Sequence, residues 1–340
     1  MFTLFQRVRT NSIKVGNRIR PTLTLVLSTL TLSLTLSLVT GCQMLSSSTQ
    51  TSPDSTASNS LTAQMPSIDR LGYIAYVEEQ GVGAAKISSL YSIRPDGSHR
   101  QLIDQLNGYI YAPAWSADGQ LLAYSKQSMR QSPQIYIYDK SQQTLKRITS
   151  NKGSNLSASF SPNAQKLLYS STVGGNADIY EVNLNDGSNR QLTTLPSTEV
   201  QPSYAPDAQS FVYTSDKSRA GQPRIYRYRF ATGTAAPIAT SGYAASPQLS
   251  LDGTRIAYLN GRQAAIMTLQ NGHVMNLADT GLDEPARLSP SGSYALYPMK
   301  SGQNRGQKGS YLVITSLANG TAYTISSQTG ALVRSPVWGR

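Results

Sequence analysis

Pro113-Ala114-Trp115-Ser116-Ala117-Asp118-Gly119-Gln120-Leu121-Leu122-Ala123-Tyr124-Ser125 reads as two short strands folded about a tight turn. Asp118-Gly119 tolerates the positive φ that a hairpin turn needs, and apolar runs flank it on both sides. Beyond a variable loop, Gln134-Ile135-Tyr136-Ile137-Tyr138 reads as a third strand, and a turn around Asp139 to Gln142 leads to a fourth near Leu145 to Thr149. The unit recurs. Tyr76, Tyr124, Tyr169, Tyr213, Tyr258 and Tyr297 end equivalent apolar runs at intervals of 48, 45, 44, 45 and 39 residues. A period in the forties made of short strands and tight turns marks a β-propeller. The expected fold is all-β, a six-bladed propeller of four-stranded blades over residues 71–340.

The other repeats follow the same plan. The aromatic of the first strand returns as Phe160 and Tyr204 and is replaced by Leu249 and Leu288. The turn returns as Pro162-Asn163-Ala164, Pro206-Asp207-Ala208, Leu251-Asp252-Gly253 and Pro290-Ser291-Gly292. No such first strand precedes Ile74-Ala75-Tyr76, yet the chain ends Pro336-Val337-Trp338-Gly339-Arg340. The C-terminal segment is therefore expected to supply the innermost strand of the first blade, closing the ring and pairing an otherwise open edge.

The first 41 residues read differently. Arg7, Arg9, Lys14, Arg18 and Arg20 form a basic opening without an acid, and the apolar run Leu23 to Val39 follows. That order is a secretory signal, and the run falls short of the about 20 residues of a bilayer-spanning helix. Val39-Thr40-Gly41-Cys42 resembles the lipobox of bacterial lipoproteins, and Cys42 is the single cysteine of the chain. Lipidation at Cys42 is expected, and Gln43 in the next place resembles outer-membrane sorting. Residues 42–70 then carry the lipidated end and a Ser/Thr-rich tether too poor in apolar groups to repay its ordering entropy.

The repeat as a whole resembles those of the TolB propeller family of the Tol–Pal system, over about residues 72–340. The resemblance implies a non-enzymatic binding propeller of the bacterial cell envelope, on the periplasmic face of the outer membrane if Cys42 is lipidated. It further implies a protein partner such as a peptidoglycan-associated lipoprotein at one channel mouth. The α/β domain that precedes the propeller in that family has no expected counterpart between Cys42 and Tyr73. Similar repeats also occur in sugar-active lyases, so a saccharide-binding or lyase-like propeller is the alternative.

Composition narrows the field. The formal charge is +12, from 30 basic and 18 acidic residues, and the five leader cations account for part of it. The remaining basic residues are spread thinly along the repeats, with no dense Lys/Arg block interleaved with aromatics, so nucleic acid is not an expected partner. No Gly-x-Ser-x-Gly elbow occurs. His99 and His273 both follow third-to-fourth-strand turns on the outer edge of a blade, and the one cysteine leaves no zinc ligand set. Neither metal nor cofactor is expected. Asp118, Asp207 and Asp252 repeat at one turn, which points to turn chemistry and not to a carboxylate ring.

The loops leading into the first strands vary from repeat to repeat, and such loops are where a rigid scaffold carries function. They supply the candidate partner-binding residues Tyr111, Asn155, Glu199, Gln201, Asp283, Glu284 and Arg334.

Overall fold

The structure is a computed structural model and describes residues 61–301, 309–327 and 329–340. The leader, Cys42 and the tether up to residue 60 lie outside the described residues.

β1 (Tyr73–Gln80), β2 (Ile87–Ile93) and β3 (Gln101–Trp115) are followed by β4 (Leu121–Ser128), β5 (Gln134–Asp139) and β6 (Thr144–Arg147). Together with the last strand of the chain they form one seven-stranded sheet. Three four-stranded meanders come next. They are β7 (Asn155–Phe160) to β10 (Asn189–Gln191), with β8 (Lys166–Ser171) and β9 (Asp178–Asn183) between; β11 (Glu199–Tyr204), β12 (Ser210–Ser215), β13 (Arg224–Arg229) and β14 (Thr234–Pro237); and β15 (Ala244–Leu249), β16 (Arg255–Asn260), β17 (Gln263–Thr268) and β18 (Val274–Asp279). A fourth sheet holds β19 (Arg287–Leu288), β20 (Tyr294–Lys300), β21 (Ser310–Ser316) and β22 (Ala322–Ser326). The chain ends in β23 (Leu332–Gly339), which pairs antiparallel with β1, setting Trp338 opposite Ile74. The first strands β3, β7, β11, β15, β19 and β23 succeed one another around a closed ring, since β23 also packs on β3. The fold is an all-β propeller.

The period tyrosines form its core. Tyr76, Tyr124, Tyr169, Tyr213 and Tyr258 are at most 2% exposed. In four repeats the tyrosine sits directly across from a third-strand tyrosine, as Tyr76–Tyr91, Tyr124–Tyr136, Tyr169–Tyr180 and Tyr213–Tyr226. The ring centroids are 5.8–6.4 Å apart. Cross-strand aromatic pairs of this kind add to simple burial. Tyr258 and Tyr297 face Ala265 and Val313 instead.

One connection differs from the sequence reading, which set the outer strand of one unit apart from the inner strand of the next. β3 runs through both without a loop: Gln101 to Asn107 pairs with β2, and Gly108 to Trp115 pairs with β4. Gly108 makes the change of partner possible. Its φ is 148°, and a Cβ there would lie 2.2 Å from the Gln127 carbonyl oxygen.

The expected boundary at residue 71 also moves. Leu61 and Met65 are buried against Ile74, Tyr294, Leu296 and Trp338, and a short helix covers Ser67–Arg70. Residues 61–70 place two apolar side chains, Leu61 and Met65, and one buried acid, Asp69, on the seam between the first and last units, so this end of the assigned tether belongs to the fold.

The turn aspartates do turn chemistry. Asp118 Oδ1 accepts from Ser116 Oγ and from the Gln120 N–H, and Asp252 Oδ1 accepts from Ser250 Oγ and the Thr254 N–H. Asp207 accepts the Gln209 N–H in the same way.

Candidate functional site: the wide mouth of the channel

The first strands do not run straight. Register shifts interrupt β3, β7, β11, β15 and β23 where each pairs with its neighbour. At each interruption one residue has a left-handed backbone: Ala112, Ser157, Gln201, Ser246 and Ser335, with φ of 45–59°. These are β-bulges, which bend a strand and re-aim its side chains. For non-glycine residues that backbone is strained, and such strain collects at functional sites. Proline follows the bulge residue in four of the five (Pro113, Pro202, Pro247 and Pro336), where the ladder needs no donor.

The bulges line a cavity of about 510 Å³ at one end of the channel. Tyr109 and Tyr111 form one wall, stacked with ring centroids 5.6 Å apart and planes within 5°. Tyr111 Oη donates to Gln127 Oε1 at 3.1 Å. Desolvation raises the Tyr111 pKa, with Glu79 adding to it, so the hydroxyl stays protonated as a donor. Lys86 pairs with Glu79 at 2.7 Å and lies over the Tyr109 ring. Beside this wall on β23, Arg334 Nε donates to Glu284 Oε1 at 3.0 Å. Burial works to lower the Arg334 pKa, but Glu284 and Glu79 outweigh it and hold the guanidinium above its ordinary value. Asp283 is exposed at the rim with no ion-pair partner among the described residues.

Five of the seven candidates, Tyr111, Gln201, Asp283, Glu284 and Arg334, therefore come together at this cavity. Gln201 is partly spent on structure, because its Oε1 accepts from Thr214 Oγ1 and from the Ser246 N–H of the next unit. Asn155 and Glu199 do not reach the mouth. Both are fully buried. Asn155 Nδ2 donates to Gln134 Oε1, Asn151 Oδ1 and the Gly153 carbonyl. Glu199 Oε1 accepts from Ser197 and Ser215, beside the buried Asp178. Desolvation pushes the Glu199 carboxyl up to about 7, and the neighbouring Asp178 adds to that.

Counting back from the first-strand aromatic explains the difference. Asn155 and Glu199 stand five residues before Phe160 and Tyr204, where other repeats have Ile110, Ala244, Val333 and, before Leu288, Asp283. That is a core position in five of the six repeats, Asp283 being the exposed exception. Tyr111 and Arg334 stand one residue further on. The residues missed by sequence were Tyr109, Lys86, Glu79, Arg287 and the bulge serines; the proline after four of the five bulges was the available signal. His99 and His273 are exposed at their turns, away from the cavity.

At the other end a smaller cavity of about 280 Å³ is lined by Trp115, Phe160, Tyr204, Leu249, Leu288 and Trp338, among others. Ser289 and Pro290 of the turn held by Asp69 also line it. The N-terminal segment thus meets the propeller at the narrow mouth, opposite the wide one.

Comparison with known proteins agrees with this architecture. A model of the TolB beta propeller domain matches residues 70–340. "Tol-Pal system protein TolB" of Francisella tularensis subsp. mediasiatica (strain FSC147) is 32% identical over 260 residues, 72% of this chain and 57% of that protein. The protein of the same description from subsp. holarctica (strain OSU18) is 31% identical over 281 residues, 74% and 62% of the two chains. The chain thus spans about three-fifths of the length of these curated relatives. The crystal structure of TolB from Acinetobacter baumannii superposes with a TM-score of 0.71 at 31% identity, covering 80% of this chain and 67% of that one. With its repeats, its ring of first strands and these matches in agreement, the chain belongs to the TolB β-propeller domain family.

Proposed function

We propose that the chain is a non-enzymatic binding propeller of the bacterial cell envelope, with six blades of four strands. The seven-stranded sheet counts as two blades, joined where β3 changes partner at Gly108. The wide mouth engages an envelope protein, for which a peptidoglycan-associated lipoprotein is the leading candidate because the matched relatives are named for the Tol–Pal system. Lipidation of Cys42 tethers the chain to the periplasmic face of the outer membrane.

The observation that carries this reading is the convergence of sequence-distant residues on one mouth. Tyr109, Tyr111 and Arg334 are of the types that dominate interface energetics. They surround a concave surface held by strained bulges, and the free carboxylate of Asp283 marks its rim. The described residues ahead of β1 dock at the narrow mouth through Asp69, on the end away from these side chains.

Crosslinking in intact cells followed by pull-down tests the reading. Recovery of a peptidoglycan-associated lipoprotein through wide-mouth positions is the expected result; its absence there, with recovery through outer-strand positions, overturns it.

A further inference from the structure

The two cavities meet. Ala114, Ser159, Ser203, Gln248 and Val337 line both of them. Each stands immediately before the aromatic or leucine of its first strand, and the residue at that place in β19 is Arg287. The waist of the channel is thus a ring of six positions with one charge in it.

We infer that this waist is a binding site for a single carboxylate, centred on Arg287. The guanidinium lines the wide cavity and donates from Nη1 to the Ser246 carbonyl, a group freed by the β15 bulge, at 3.1 Å. Guanidinium has five N–H donors in a fixed fork matched to a carboxylate. No carboxylate among the described residues lies within ion-pair distance of it. The other two cations of the wide cavity are already paired, Lys86 with Glu79 and Arg334 with Glu284. Burial inside the channel pushes the Arg287 pKa down to about 10, against the pull of Glu284, so the cation persists at neutral pH without a partner of its own.

Its ring neighbours are donors too. Ser203 Oγ accepts the Leu249 N–H at 3.3 Å, which leaves its hydroxyl proton to give. Gln248 Oε1 accepts the Leu288 N–H at 3.3 Å, which leaves its amide nitrogen to give. A carboxylate at the waist would therefore meet the guanidinium fork and neutral donors around it, in an enclosure where charge-assisted hydrogen bonds are strong. Two sources have this chemistry, a small free carboxylate and an acidic side chain on a partner segment entering the wide mouth. Only the second rests on the proposed function.

The test is isothermal titration of the full-length protein, purified in detergent, with sodium acetate against a background of sodium chloride at matched ionic strength. A short blocked peptide with one central aspartate, and its asparagine twin, form the second arm. Wild type binds acetate, and Arg287→Gln weakens binding about tenfold or more, the cost of losing a charged hydrogen-bond partner. Gln248→Glu does the same while keeping the acceptor for the Leu288 N–H, because it places a carboxylate of its own beside Arg287. Selective binding of the aspartate peptide, lost in both variants, assigns the site to a partner's side chain; acetate binding alone assigns it to a free solute. Equal affinities in all three proteins, or no binding of either probe to wild type, overturn the inference. The proposed function is judged separately, by partner capture at the mouth residues.

Discussion

Asp69 Oδ1 accepts the backbone N–H of Ser291 at 2.8 Å, across 222 residues of chain. Its Oδ2 also accepts from Ser289 Oγ at 3.0 Å and from Ser291 Oγ. In other repeats the acceptor for that first serine is built into the turn, as Asp118 for Ser116 and Asp252 for Ser250. The last repeat has Ser291 where those carry aspartate, and the segment ahead of β1 returns the missing carboxylate from outside. The N-terminal segment is thereby fixed to the last unit at the narrow mouth.

Asp69→Ala should strand three donors, the Ser289 and Ser291 hydroxyls and the Ser291 N–H, in a largely buried turn and cost about 1–3 kcal/mol, read as a fall of several degrees in Tm. Ser291→Asp should restore part of that loss in the Asp69→Ala background. In the wild-type background the same change should lower Tm, because it sets two carboxylates side by side. Additive effects in this double-mutant cycle would contradict the account.

Glu199 gives a pH dependence with a definite sign. Its folded pKa is raised, to about 7, by burial first and by Asp178 after. The folded state therefore holds more protons than the unfolded chain between about pH 4.5 and about pH 7. The stabilising contribution is complete below that window and is lost as pH rises through it. Asp178, raised by desolvation, acts in the same direction. Thermal midpoints measured across the window should fall for wild type and fall less for Glu199→Gln, which keeps the shape without the charge. Parallel curves would show that Glu199 is not the group responsible.

How much of this was legible beforehand differs between fold and site. The turn dipeptides and the buried tyrosines announce the repeat, because both are demanded by backbone and packing in every unit. The role of β23 was legible for the same reason: a repeat lacked its first strand and the chain had one left over. The site depended on one-residue distinctions. In a bulged strand the neighbouring positions Asn155 and Leu156 are both buried, whereas Ile110 and Tyr111 are split between core and mouth. Neither loop variability nor polarity predicts that, since Glu199 is polar and buried through hydrogen bonds that only the assembled sheet provides.

The closing strand predicts a large stability effect. Trp338 is 4% exposed and packs with Ile74, Tyr294 and Val333. Trp338→Ala should cost about 3–5 kcal/mol. Gly339→Ala should cost about 1–3 kcal/mol by overpacking, because its Cβ would lie 2.4 Å from Trp115 Cγ. Chemical denaturation of the two variants measures both; midpoints equal to wild type would mean that β23 does not close the ring in solution.

Lipidation is tested by metabolic labelling with fatty acid. Cys42→Ala should abolish the label and leave an unprocessed precursor or a protein released from the membrane. Retained label would remove the anchor from the account, since the chain has no second cysteine.

The central claim is that the wide mouth binds the partner. Its most direct test is the affinity of the purified protein for a peptidoglycan-associated lipoprotein, compared among mouth and outer-strand variants. Tyr111→Ala should cost about 2 kcal/mol or more, roughly thirtyfold in Kd. Asp283→Lys, at an exposed and unpaired acid, should slow association and weaken binding with Tm unchanged. His99→Ala and His273→Ala, on exposed turns at the outer edge, should bind as wild type does. Weakened binding in the histidine variants together with unchanged binding in the Tyr111 and Asp283 variants would contradict the account and place the partner on the outer face.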